Sequence, residues 1–162
     1  MNTQTARCLI LACGNTLRED DGIGPFLAAW AEKRFADTAG VRVIAAQQWT
    51  PEFSAEIAAA ETVLFLDCSV NTAPGSITVS PVLADDKPPR LMTHHLDATS
   101  LLALAHEYYD ARPRQANIFT IGAGSLELRE GFSDIMQAAI PEAQQTLEEA
   151  VLRLLGKTDQ RK

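Results

Sequence analysis

The residues best suited to chemistry form one short segment, the acidic turn, at residues 14–24. It reads Gly-Asn-Thr-Leu-Arg-Glu-Asp-Asp-Gly-Ile-Gly and places Glu19, Asp20 and Asp21 among three glycines. Helix N-termini that bind phosphate are rich in glycine and poor in acid, because carboxylates repel the anion. The acidic turn therefore favours a cation over a phosphate. The simpler alternative is that Asp20 or Asp21 caps the following helix and complements its dipole. Asn15 is expected to hold the turn closed through its side-chain amide, or to steer a substrate.

Asp67 and a pair of histidines are the other candidate ligands. Asp67 follows the apolar run 62–66, and His94 and His95 stand just ahead of a predicted helix. Two carboxylates, Asp21 and Asp67, together with one imidazole would bind a divalent transition metal and leave coordination positions open. This ligand set suits nickel or zinc better than magnesium, which prefers oxygen ligands alone. The alternatives are that Asp67 stabilises a backbone turn and that the histidines belong only to the helix start.

Alternating strands and helices must position these side chains. Predicted strands cover 8–12, 41–45, 62–66, 76–79 and 117–121, and predicted helices cover about 25–36, 51–60, 97–112 and 133–155. This pattern predicts an α/β fold, a three-layer sandwich with flavodoxin-like winding around a mostly parallel central sheet of roughly five strands. If the strand order begins 2-1-3, Asp21 and Asp67 face one crevice at the carboxyl ends of the strands. Pro141 predicts a kink or a break in the last helix.

Composition limits the size, location and partners of the protein. A chain of 162 residues is long enough to bury one core, and we expect a single domain over 1–162 with its core at about 7–156. The net charge of -7 argues against nucleic acid or an anionic membrane as a partner. No apolar run approaches the length of a membrane span and no signal peptide is evident, so we expect a cytoplasmic protein. Three cysteines without CxxC spacing predict buried thiols, with metal binding by Cys13 and Cys68 as a lesser alternative.

These motifs resemble those of the hydrogenase maturation endopeptidases, the proteases that complete the large subunit of nickel-iron hydrogenases. The matching residues are Gly14-Asn15, the segment 20–24, Leu66-Asp67 and Thr93-His94, and their order and rough spacing extend over nearly the whole chain. Two departures are visible. Ala12 stands where the family usually has glycine, and the histidine is doubled.

The resemblance implies an α/β fold and an activity. Members of the family remove a short C-terminal extension from the large-subunit precursor after nickel has been inserted, and they are classified as aspartic-type endopeptidases. The family's metal ligands carry over to Asp21, Asp67 and His94, with His95 as the alternative imidazole, and the catalytic acids to Asp21 and Asp67. Nickel would arrive with the precursor, so the free protein, expected to be a monomer, needs no metal of its own.

Two other functions remain open at this point. One is a non-catalytic checkpoint or chaperone that senses the metal and binds the precursor without cutting it. The other is a flavodoxin-like domain for a small phosphorylated ligand, which the acids of the turn disfavour.

Overall fold

Strands and helices alternate along the chain, as the hydrophobic pattern predicts. The computed structural model describes residues 5–84 and 96–156. The strands are β1 (Cys8–Cys13), β2 (Val41–Ala46), β3 (Thr62–Ser69), β4 (Ile77–Pro81) and β5 (Gln115–Gly122). The α-helices are α1 (Ile23–Arg34), α2 (Phe53–Ala58), α3 (Ala98–Tyr109) and α4 (Asp134–Leu154), and a 3-10 helix at Glu19–Gly22 precedes α1.

The described strands form one sheet in the order β2-β1-β3-β5-β4. Every neighbouring pair is parallel except β4, which runs antiparallel to β5 at the edge. In the register of β1 and β3, Ala12 is paired with Leu66, so the residues after Ala12 and Leu66 emerge at the same edge of the sheet. The predicted α/β class, the mostly parallel sheet and the 2-1-3 order are confirmed.

Helices cover both faces of the sheet and complete the three layers. On one face, Leu27 of α1 and Leu147 of α4 pack with Ile10 of β1. On the other face, Ile57 of α2 and Leu101 of α3 pack with other residues of the central strands. Strands buried on both faces in this way read as continuous apolar runs, which is why β1 and β3 are evident in the sequence. None of the helices in the described part of the chain is both long and apolar enough to cross a bilayer.

Two helices differ from their predicted form. Helix α1 begins at Ile23, two residues before its predicted start, and Pro25 lies in the first turn as predicted, where its missing N–H has no partner to lose. Helix α4 continues through Pro141, so of the predicted kink or break the break does not occur. Buried residues before and after the proline, among them Met136 and Ala143, pack against the same core. Their burial keeps the helix continuous despite the lost backbone hydrogen bond.

Candidate active site

The acidic turn folds tightly against the start of α1. A Cβ atom at Gly14 would lie 2.0 Å from the backbone oxygen of Asp21, so glycine is required for this approach. The backbone N–H of Asn15 donates to Oδ2 of Asp21 at 2.7 Å. The side chain of Asn15 accepts from the N–H of Leu17 at 2.9 Å, as predicted for a residue that closes the turn. Asp21 is therefore held at the carboxyl end of β1 with its side chain partly exposed.

Asp20 does not cap α1, and that interpretation of the sequence is wrong. Its side chain is fully buried, and its Oδ2 accepts hydrogen bonds from the N–H of Gly124 at 2.7 Å, from the N–H of Ser125 at 3.0 Å and from Oγ of Ser133 at 2.6 Å. Oδ1 accepts from the N–H of Ser133 at 2.8 Å. Neither the 3-10 helix nor α1 has a side-chain cap, and the residue at the N-cap of α1 is Gly22. Asp20 thus joins the acidic turn to the loop between β5 and α4.

Burial and these hydrogen bonds oppose one another at Asp20. Removal from water raises the pKa of the carboxyl, but the hydrogen bonds from Ser133, Gly124 and Ser125 stabilise the charged form and leave the pKa below its usual value. The buried group is therefore an ionised anchor for the turn.

Glu19 makes a second connection to the same loop. Its side chain is buried and pairs with the guanidinium of Arg129, whose hydrogen bond lowers the pKa of the carboxyl. Its backbone N–H donates to the oxygen of Arg129 at 2.9 Å, and its φ of 46° is a left-handed conformation that non-glycine residues rarely adopt. Of the three acids in the turn, Glu19 and Asp20 serve the structure, and Asp21 is the one that faces solvent.

Asp67 lies near the end of β3, next to the end of β1. The thiol of Cys13 donates a hydrogen bond to Oδ1 of Asp67 at 3.4 Å. Burial and the nearby carboxylates of Asp67 and Asp21 raise the pKa of Cys13, so its sulfur keeps its proton and acts as the donor. Cys68 packs against the opposite core from Cys13, so the lesser alternative of metal binding by these two thiols has no support.

The structure brings Asp21 and Asp67 together in one cavity of about 430 Å³. This confirms that the two acids, one in the acidic turn and one near the end of β3, face the same crevice. The cavity lies at the carboxyl end of the sheet, where open α/β folds bind their ligands. Its other walls come from the loops after β1 and β2 and from the start of α3, and the lining includes Cys13, Asn15, Arg18, Gln47, Gln48, Trp49, Leu96 and Asp97.

The predicted imidazole ligand, His94 or His95, lies outside the described residues. Among residues 5–84 and 96–156, no group of three or more His, Cys, Asp or Glu side chains is arranged to hold a metal ion. Asp21 and Asp67 are thus two carboxylates on a shared cavity, and the complete three-residue ligand set stays a prediction.

Trp49 is a cavity residue that the motifs did not indicate. It is 5% exposed, and it follows Gln47 and Gln48 directly after β2. Because β2 is parallel to β1, residues that follow it must emerge at the same edge as the acidic turn. That topological signal was present in the sequence, but no motif marked these three residues.

No protein-family model and no curated protein sequence matches the chain. Solved structures do match it over nearly their whole length. The hydrogenase maturating endopeptidase HybD from Escherichia coli is 22% identical and superposes with a TM-score of 0.68, covering 91% of this chain and 92% of that one. The NiFe hydrogenase maturation protease HycI from Thermococcus kodakarensis is 21% identical, with a TM-score of 0.66 and coverage of 96% and 95%.

A hydrogenase 2 maturation peptidase from a Thaumarchaeota archaeon is 22% identical, with a TM-score of 0.63 and coverage of 94% of this chain and 99% of that one. At these identities the likeness concerns the fold. The chain therefore has the fold of the hydrogenase maturation endopeptidases, the family that its acidic turn and its other motifs resemble.

Proposed function

We propose that this protein is an endopeptidase that removes the C-terminal extension of a nickel-iron hydrogenase large-subunit precursor after nickel insertion. The observation that carries the proposal is the shared cavity of Asp21 and Asp67 at the carboxyl end of the sheet. The fold of the structural neighbours, which are named as hydrogenase maturation proteases, agrees with it.

Nickel belongs to the substrate in this proposal. The precursor presents its inserted nickel, and Asp21, Asp67 and His94 contact the open coordination positions of that ion. Two carboxylates and an imidazole are suitable ligands for such a metal. Leu96, which follows the histidine pair in the sequence, lines the same cavity as the two acids.

Cleavage then requires attack of a water molecule on the scissile carbonyl. One of the two carboxylates takes the proton of the water as a general base and delivers it to the leaving amine. The nickel of the precursor would supply Lewis-acid polarisation of the carbonyl or of the water. The ion thereby also marks the precursor as ready for processing.

The direct test is incubation of the protein with the nickel-loaded large-subunit precursor of the same organism, followed by mass spectrometry of the precursor. We expect loss of the C-terminal tail with nickel present and retention of the tail with the nickel-free precursor. A stable complex in which the tail persists would instead establish the non-catalytic checkpoint. Asp21→Ala and Asp67→Ala should fold but leave the tail in place. Asp37→Ala is their matched control, because Asp37 is exposed in the connection between α1 and β2, away from the cavity.

A further inference from the structure

We propose that the indole N–H of Trp49 donates a hydrogen bond to a backbone carbonyl of the bound peptide, which makes Trp49 a substrate-binding residue. This rests on the proposed function, because it takes the peptide around the cleavage site as the ligand of the cavity. Trp49 lines the same cavity as Asp21 and Asp67.

Packing fixes the indole ring in the cavity wall. The ring meets Phe65 edge to face, with 5.2 Å between the centroids and 69° between the planes. Phe65 is fully buried on β3, two residues before Asp67. The ring is therefore tied to the strand that carries one of the two acids, and its N–H has a defined position relative to them.

The nitrogen of that ring lacks an acceptor. Nε1 of Trp49 is buried and has no hydrogen-bond partner among the described residues. Buried tryptophan N–H groups usually find one, since an unpaired buried donor is costly. A phenylalanine would fill an apolar wall at this position without that cost. A hydrogen-bond acceptor on a bound molecule would explain why position 49 has an indole.

A neutral peptide carbonyl is the acceptor that suits this cavity. Asp21 and Asp67 line it and repel an anionic ligand. The exposed amides of Gln47 and Gln48 line the wall beside Trp49 and can both donate to and accept from an extended peptide backbone. Nε1 is covered in the free protein, so the proposed bond requires the side chains around Trp49 to move when the peptide binds.

The first measurement is nuclear magnetic resonance of the protein labelled with ¹⁵N at the tryptophan indoles. The probe is a synthetic peptide that spans the cleavage site of the same organism's large-subunit precursor, added in large excess because it carries no nickel to strengthen its binding. The chain has two tryptophans, and Trp30 packs against the core on the other face of the sheet. We expect the Trp49 indole proton to move downfield with added peptide while the Trp30 signal stays in place.

The second measurement uses Trp49→Phe, with Trp30→Phe as its control, and nickel-loaded precursor as substrate. Trp49→Phe removes the donor and keeps an aromatic ring. We expect KM to rise about tenfold and kcat to stay within about twofold, because the bond acts on substrate binding. The melting temperature of the free variant should equal or exceed that of the wild type.

Two results would overturn the inference. One is a Trp49→Phe variant that is less stable than the wild type in free form but has an unchanged KM, because the acceptor would then belong to the chain itself. The other is precursor cleavage by a wild-type protein whose Trp49 signal does not respond to the peptide. A response of that signal without any cleavage would support the binding role of Trp49 and refute the proposed protease activity.

Discussion

Replacement of Asp20 by asparagine tests the structural role of the acidic turn. In the wild type, three donors approach Oδ2 and one approaches Oδ1. The amide oxygen of Asp20→Asn can take the place of Oδ2, but its NH2 group then faces the N–H of Ser133. One charge-assisted hydrogen bond is lost and the remaining three become neutral. We expect the free energy of unfolding to fall by about 3 kcal/mol at pH 7.

The same variant predicts a particular dependence on pH. The pKa of Asp20 is lowered in the folded protein, so its ionisation stabilises the fold above the unfolded-state pKa of about 3.9. This contribution is lost as the pH falls through the folded-state value. The difference in the free energy of unfolding between wild type and Asp20→Asn should therefore stay constant from neutral pH down to about pH 5 and become smaller below about pH 4.

Urea denaturation followed by circular dichroism at several pH values measures both effects. In a chain of this length, a loss of about 3 kcal/mol corresponds to a fall of about 6–12 °C in melting temperature. The control Asp37→Asn changes an exposed carboxylate and should stay within about 0.5 kcal/mol of wild type. If Asp20→Asn matches that control at pH 7, or if its deficit does not narrow in acid, the assignment of Asp20 as an ionised anchor is wrong.

Three further predictions concern the cavity and its supports. Asp67→Asn can still accept a hydrogen bond from the Cys13 thiol, so the melting temperature of the variant should stay within a few degrees of the wild-type value. Its rate of precursor processing should fall at least about 100-fold, and processing at the wild-type rate would contradict the catalytic role of Asp67. Gly24→Ala places a Cβ 2.2 Å from the backbone oxygen of Cys13, and we expect urea denaturation to show a loss of about 2–3 kcal/mol. Burial raises the pKa of Cys8 to about 11, and partial burial together with the nearby carboxylates of Asp21 and Asp67 raises the pKa of Cys68 to about 12. Ellman's reagent at pH 8 should therefore modify these two native thiols at least about 100-fold more slowly than the unfolded ones, and equal rates would contradict the raised pKa values.

The positions of Asp21 and Asp67 could be predicted because they depend on strand order. Two apolar runs mark β1 and β3, and a parallel sheet brings the residues after neighbouring strands to one edge. The position of each acid could be predicted from its place in the sequence relative to a strand. The predicted contact of His94 with the metal concerns a residue outside the described part of the chain and stays a prediction.

The role of Asp20 could not be predicted from its neighbours. Its partners Gly124, Ser125 and Ser133 lie more than 100 residues further along the chain. Local spacing favours a helix cap for an acid just before a helix, and only the packed loop between β5 and α4 provides a competing set of donors. The continuity of α4 through Pro141 has the same kind of cause, because tertiary packing along α4 outweighs the tendency of proline to interrupt a helix.

The antiparallel edge strand β4 has a consequence for how the protein behaves at high concentration. The N–H of Val82 donates inward to the oxygen of Ala116, so the nitrogen of the preceding residue, Pro81, faces outward. Proline has no hydrogen there, and the open side of β4 lacks a donor at the point where a foreign strand would pair. The polar side chains of Thr78 and Ser80 lie on the same short strand. Stacking of copies into fibrils through this border of the sheet is thereby disfavoured.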